Sequence, residues 1–145
     1  MLKIPKNILD QMISHAQSDA PFECCGLLAG KEGKIEEIYP IANLPADDPK
    51  IADMQVPQDR RFRYVMDPKE QLKAFKAMRK NGTELSGIYH SHPHSPATPS
   101  ATDVRLAFYP EVTYLIISLE IKEKPEVRGF QIVNEKITEI VIEGP

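Results

Sequence analysis

The chain has 145 residues, 41% of them hydrophobic and 27% charged, with a formal net charge of −3. That length fits one domain, residues 1–145, around one core, and the balance is that of an ordinary globular protein rather than a disordered one. No apolar run nears the ~20 residues a bilayer requires, and the charge leaves no basic footprint for nucleic acid, so neither membrane nor nucleic acid is an expected partner.

The opening Met1-Leu2-Lys3-Ile4-Pro5-Lys6 has no continuous apolar core and no small-residue cleavage site. It does not read as a secretory signal, and the expected compartment is the cytoplasm. Ile4, Ile8, Leu9, Met12, Ile13 and Ala16 recur at helical spacing behind Pro5, which suits an early helical position, so a first helix is expected to about Ser18. His15, near its end, reads as a solvated or dipole-compensating residue. Cys24 and Cys25 are adjacent, a spacing that fits neither a disulfide scaffold nor a C-x-x-C pair, so they are expected to be reduced with at least one buried. Cys24–Ala29 and Ile35–Ile41 read as short strands around a hairpin turn at Gly30-Lys31-Glu32-Gly33.

From Asn43 to Gln58 the composition shifts to Pro, Asp and Ala without periodicity, which makes this segment a candidate flap. A strand is expected next through Phe62, Tyr64 and Val65, with Arg60, Arg61 and Arg63 on its solvent side by the period-2 rule. Asp67-Pro68-Lys69-Glu70 opens a second helix with a capping carboxylate, a first-turn proline and a glutamate three residues after the cap. Leu72, Phe75 and Met78 mark its expected buried side, and Asn81-Gly82 its end. Leu85–His92 reads as a strand stopped by Pro93, and Ser100–Phe108 as a short helix. Thr113–Leu119 resembles a strand buried on both faces, and Val127–Val133 and Ile137–Ile142 are two more, joined at Asn134-Glu135. The class is mixed α/β with strands dominating the second half.

Residues 90–103 read H-S-H-P-H-S-P-A-T-P-S-A-T-D. Alternation along a strand puts His90 and His92 on one side, about 7 Å apart at the backbone, with Ser91 opposite. Pro93, Pro96 and Pro99 restrict the loop that leads to Asp103. Two imidazoles and a carboxylate are a typical catalytic zinc set, in which the fourth position is left to water whose pKa falls to about 7. Cleaving an amide there also needs a base, usually a glutamate. Each feature has a plainer reading taken alone. A His-x-His pair can sit on a surface, Asp103 can favour a helix start, and Ser100 can be its N-cap.

The run H-x-H-P, with seven residues between the second histidine and a serine, then two residues and Asp, resembles the motif of the JAMM, or MPN+, zinc metalloproteases. Upstream, Pro21-Phe22-Glu23-Cys24-Cys25-Gly26 is similar to that family's P-x-E-x-C-G segment. The resemblance covers roughly residues 1–120. It implies that His90, His92 and Asp103 hold Zn2+, that Glu23 is the catalytic acid/base and that Ser100 donates to the developing oxyanion. It also implies a curved, mostly antiparallel or mixed sheet flanked by helices, like that of cytidine deaminases. The implied reaction is hydrolysis of the amide bond after the C-terminal Gly-Gly of a ubiquitin-like or sulfur-carrier protein, with release of cysteine from a carrier as one form. The chain's compactness resembles the stand-alone prokaryotic members, with 43–58 expected as a flap over an extended glycine tail laid along a sheet edge. His94 lies outside the motif and reads as loop surface or a neighbour of the ligands. Two other functions stay open: a non-catalytic MPN interaction module, and a RadC-like DNA-repair-associated protein, against which the acidic charge stands. Pairing of two copies also stays open.

Overall fold

The computed structural model describes residues 1–144. Its elements in chain order are β1 (Leu2–Lys3), α1 (Lys6–Asp19), β2 (Cys25–Lys31), β3 (Lys34–Ile41), α2 (Pro49–Ala52), α3 (Pro68–Asn81), β4 (Glu84–His92), α4 (Ala101–Arg105), β5 (Thr113–Ser118), β6 (Glu126–Val133), β7 (Lys136–Ile140) and β8 (Ile142–Glu143). All strands join one eight-stranded mixed sheet in the order β7-β6-β5-β4-β2-β3-β1-β8. β4 runs parallel to β5, and β1 parallel to β3 and β8, while the other pairings are antiparallel. Only Val141 separates β7 from β8, yet they lie at opposite ends of the order, so the sheet must curl until it nearly closes.

Alternation along the central strands builds a core on each face. Leu27, Ala29, Ile88, Tyr114 and Ile116 pack on one side with Ala74 and Met78 of α3. Leu28, Tyr89, Leu115 and Ile117 pack on the other with Ile8, Met12 and Ala16 of α1. The α3 caps are those expected: Asp67 accepts from the Lys69 amide, and Gly82 closes the helix with φ +70°, a left-handed angle that costs glycine nothing. No helix among the described residues is long and apolar enough to cross a membrane.

Several expectations are corrected. Residues 60–65 form no strand and do not alternate: Arg61 is exposed and Tyr64 half-buried as expected, but Arg63 is 1% exposed whereas Phe62 is 58% exposed. The arginine tolerates burial because its fork meets three acceptors, the carbonyls of Pro57 and Gln58 and Asn43 Oδ1. On α3, Leu72 is 55% exposed and Ala74 takes the buried position, one turn before Met78. The last strand divides at Val141, and α4 ends at Arg105 rather than running to Phe108. The hairpin turn is tighter than Gly30–Gly33: only Glu32 and Gly33, both at positive φ, lie between the strands. Nor is 43–58 structureless, since it holds α2, capped by Asp48, and buries Leu44 and Ile51. His15 is not simply solvated, as its Nδ1 lies 2.8 Å from the hydroxyl of buried Tyr89 and its Nε2 3.3 Å from Asp19.

Gly26 faces Tyr89 across the β2–β4 pairing, and a Cβ on it would come within 2.3 Å of the phenol ring. Tyr89 is fully buried and has nowhere to move. Gly26→Ala is expected to destabilise the chain by about 1–3 kcal/mol, the usual cost of overpacking; denaturant unfolding checks it, and unchanged stability would show the ring to be mobile.

Candidate functional site

Pairing of β2 with β4 carries the segment after α1 to the histidine strand. Cys25 stands opposite His90, and one residue earlier the Cys24 amide donates to Ser91 Oγ at 2.8 Å while the Ser91 amide donates back to the Cys24 carbonyl at 3.1 Å. Glu23 is thereby held at the end of the sheet, buried at 6% exposure. Its own amide donates to the Arg60 carbonyl, and its carbonyl accepts from Asn43 Nδ2. Its Oε1 is buried without a hydrogen-bond partner.

His90 and His92 project to the α3 side, as alternation requires, and their Nε2 atoms are 3.2 Å apart. Asp103 Oδ2 lies 3.1 Å from each. Asp103 comes from the first turn of α4, where a reciprocal capping box holds it: Ser100 Oγ accepts from the Asp103 amide and Asp103 Oδ2 accepts from the Ser100 amide. The loop between is pinned by buried Ala97 and by Ser118, whose hydroxyl donates to the Ser95 carbonyl at 2.7 Å. His92 Nδ1 lies 2.8 Å from the Pro96 carbonyl. A carbonyl can only accept, so Nδ1 carries the proton and, in the neutral ring, Nε2 turns its lone pair toward Asp103.

This donor set fits a zinc ion. Three electron-rich atoms 3.1–3.2 Å apart repel one another unless a cation or protons lie among them. Tetrahedral ligands at 2.0–2.1 Å from zinc would stand about 3.3 Å apart, close to the observed spacing. Among the described residues, His90, His92 and Asp103 form the one group whose ligand atoms cluster in this way. His94 is exposed and is not in the group; it lines a separate hollow with Gln17, Pro21, Pro93 and Lys122. Cys24 and Cys25 are free and fully buried, and burial pushes the Cys24 thiol up to about 12 and raises Cys25 too, which leaves both as inert packing groups.

Burial, reinforced by the Asp103 charge and opposed by Arg63, pushes the Glu23 carboxyl up to about 9. His92 is raised: burial opposes protonation, but its bond to the Asp103 carboxylate and that charge prevail. Asp103 is held far below the ordinary range by the His90 and His92 rings and the Ser100 amide, which overcome its burial.

Sequence reading missed four residues that shape this site. Ser91 joins the Glu23 segment to β4, Asn43 and Arg63 tie 57–66 to Glu23, and Tyr64 stacks on His90 with ring centroids 4.5 Å apart. Their only signal was position: Ser91 between two histidines, and Asn43 at the border of a long loop.

With this geometry in view, comparison with known proteins is decisive. A family model described as prokaryotic homologs of the JAB domain matches residues 5–133. The chain belongs to this family. Across 96% of its length it is 35% identical to a protein named CysO-cysteine peptidase from Mycobacterium tuberculosis, of which the match covers 88%. It is 34% identical to a desampylase from Haloferax volcanii, with 81% of this chain and 80% of that one aligned. A solution structure from Desulfitobacterium hafniense, 41% identical, superposes with a TM-score of 0.82 over all of this chain and 93% of the other. A JAB1/MPN domain protein from Archaeoglobus fulgidus, 18% identical, shares the fold at a TM-score of 0.60 over 100% and 97% of the two chains.

Without metal the JAB site keeps a proton on Glu23, whose carboxyl is pushed up to about 9, and its His92 ring is shifted toward protonation; a divalent cation favours the deprotonated form of both. Zinc binding should therefore release protons, and affinity should rise as pH goes from 6 to 8. Competition against a chelator of known pH dependence measures it; equal affinity at both pH values would contradict the assignment.

Proposed function

We propose that this chain is a zinc-dependent hydrolase of the amide bond that follows the C-terminal Gly-Gly of a ubiquitin-like or sulfur-carrier protein, including a carrier that bears cysteine. The observation that carries this reading is the convergence of His90, His92 and Asp103 within 3.1–3.2 Å, with a buried, unpartnered Glu23 carboxyl on the same end of the sheet. The names of the relatives, a CysO-cysteine peptidase and a desampylase, agree in substrate class.

In this reading His90, His92 and Asp103 hold the metal. Zinc supplies a Lewis acid and brings the pKa of water toward 7. Glu23 needs to lose its proton to act as a base, a loss that a bound cation held by His90, His92 and Asp103 would favour. Its Oε1, which has no other hydrogen-bond obligation, then takes a proton from the attacking water and delivers it to the leaving amine. Ser100 Oγ accepts from the Asp103 amide, so its own O–H proton is free to donate to the substrate carbonyl oxygen as negative charge grows there. Catalysis gains because that bond strengthens in the transition state.

In this reading the scissile tail lies extended beside the histidines, where little of the strand edge is free. β4 is paired through His92 by β5 on one side and through His90 by β2 on the other. The 43–58 segment serves as the flap over it, tied to α4 by Arg105, which donates to the Gln55 carbonyl.

Cleavage of a purified carrier–cysteine or carrier–peptide adduct tests the proposal. Chelation should abolish it and zinc restore it. Glu23→Gln should lower kcat by about 10²–10⁴-fold with metal retained, and Ser100→Ala by about 10²–10³-fold, with Ser100→Thr largely active because it keeps both cap and donor. Full activity of Glu23→Gln would sink the mechanism, and cleavage unaffected by chelation would sink the metal.

A further inference from the structure

The two histidines are oriented by different means. His92 is fixed by a hydrogen bond from Nδ1 to the Pro96 carbonyl. His90 has no such anchor, for its Nδ1 is buried and has no hydrogen-bond partner. A metal-binding imidazole usually donates its second N–H to a fixed acceptor, which sets the ring plane, and the torsion that turns the ring is otherwise soft. What contacts His90 is the face of Tyr64, stacked with centroids 4.5 Å apart and planes 28° from parallel.

We propose that Tyr64 is the positioning residue that sets the plane of His90, and that Asn43 holds Tyr64 in register with Glu23. Asn43 bonds both peptide groups that flank Tyr64: Nδ2 donates to the Arg63 carbonyl at 3.0 Å, and Oδ1 accepts from the Val65 amide at 2.9 Å. The same Nδ2 donates to the Glu23 carbonyl at 2.9 Å, and Oδ1 also accepts from Arg63 Nη1 at 2.6 Å. All four bonding positions of the amide are filled, so it cannot turn without breaking several bonds. A backbone bridge between Asn43 and Met66 closes the frame. One side chain thus fixes the main chain of the acid/base and the aromatic plate behind a metal ligand.

Stacking needs the ring and not the hydroxyl, which takes part in no hydrogen bond among the described residues. Tyr64→Phe should therefore bind zinc within about threefold of the parent. Tyr64→Leu, similar in apolar bulk but without the aromatic face, should bind about 10–100-fold more weakly, the usual effect of removing a group that orients a ligand. Competition with a chromophoric chelator gives both values without any substrate. The proposal rests on His90 being a metal ligand, and the outcomes separate the two ideas. A parent chain that binds no zinc overturns the metal site and this proposal together; a parent that binds zinc and a Tyr64→Leu variant that binds it equally overturn only the role of Tyr64. If Tyr64→Leu fails to fold, proton NMR of the unmutated, zinc-loaded chain decides. Ring current from Tyr64 should move the His90 ring protons upfield of those of His92, and equal positions would contradict the stacking.

Discussion

The pairing of β2 with β4 is the constraint on which the site depends. Its ladder ends where Ser91 and Cys24 exchange hydrogen bonds, joining positions 67 residues apart in the chain. That exchange fixes Glu23 beside a strand whose alternate residues are His90 and His92. Ser91 faces away from the histidines and toward the α1 side, so the clamp does not compete with them for space. Close fit behind it comes from Gly26 under Tyr89, a contact no side chain larger than hydrogen at position 26 would allow.

Around that frame the site gathers polar groups that are costly to bury. An unpaired buried acceptor such as Glu23 Oε1 costs about 1–3 kcal/mol, and the fold tolerates it. His90 Nδ1 is likewise unpartnered, whereas the supports behind the site are saturated: the Arg63 fork meets three acceptors, and Asn43 fills all its positions. The contrast between saturated supports and a few unsatisfied atoms is what a site prepared for an ion and a substrate looks like. The two thiols are the exception that clarifies it, buried next to Glu23 in sequence but high in pKa and engaged in packing.

Much of this was legible in the sequence, and the reasons are local. His90 and His92 are two apart on an evident strand, Asp67 and Gly82 punctuate α3 with the chemistry helix ends require, and the family likeness pointed to Glu23, Ser100 and Asp103. Residues 60–65 were misread because Phe62, Tyr64 and Val65 imitate a strand. Their peptide groups bond to an asparagine side chain instead of a neighbouring strand, an arrangement that leaves no periodic trace. Arg63 was placed outside because a buried guanidinium is recognised only by its acceptors, and two of these are carbonyls that any residue could supply. β1 and β8, with two residues each, are too short to show alternation, and only the folded sheet reveals that the chain's end returns beside its beginning.

X-ray absorption at the zinc edge of the metal-loaded chain tests the central claim most directly. A centre built from His90, His92 and Asp103 predicts four nitrogen or oxygen neighbours at about 2.0–2.1 Å, with the outer-shell pattern of imidazole and no sulfur. A sulfur neighbour at about 2.3 Å, which only Cys24, Cys25 or a methionine could provide, would contradict it.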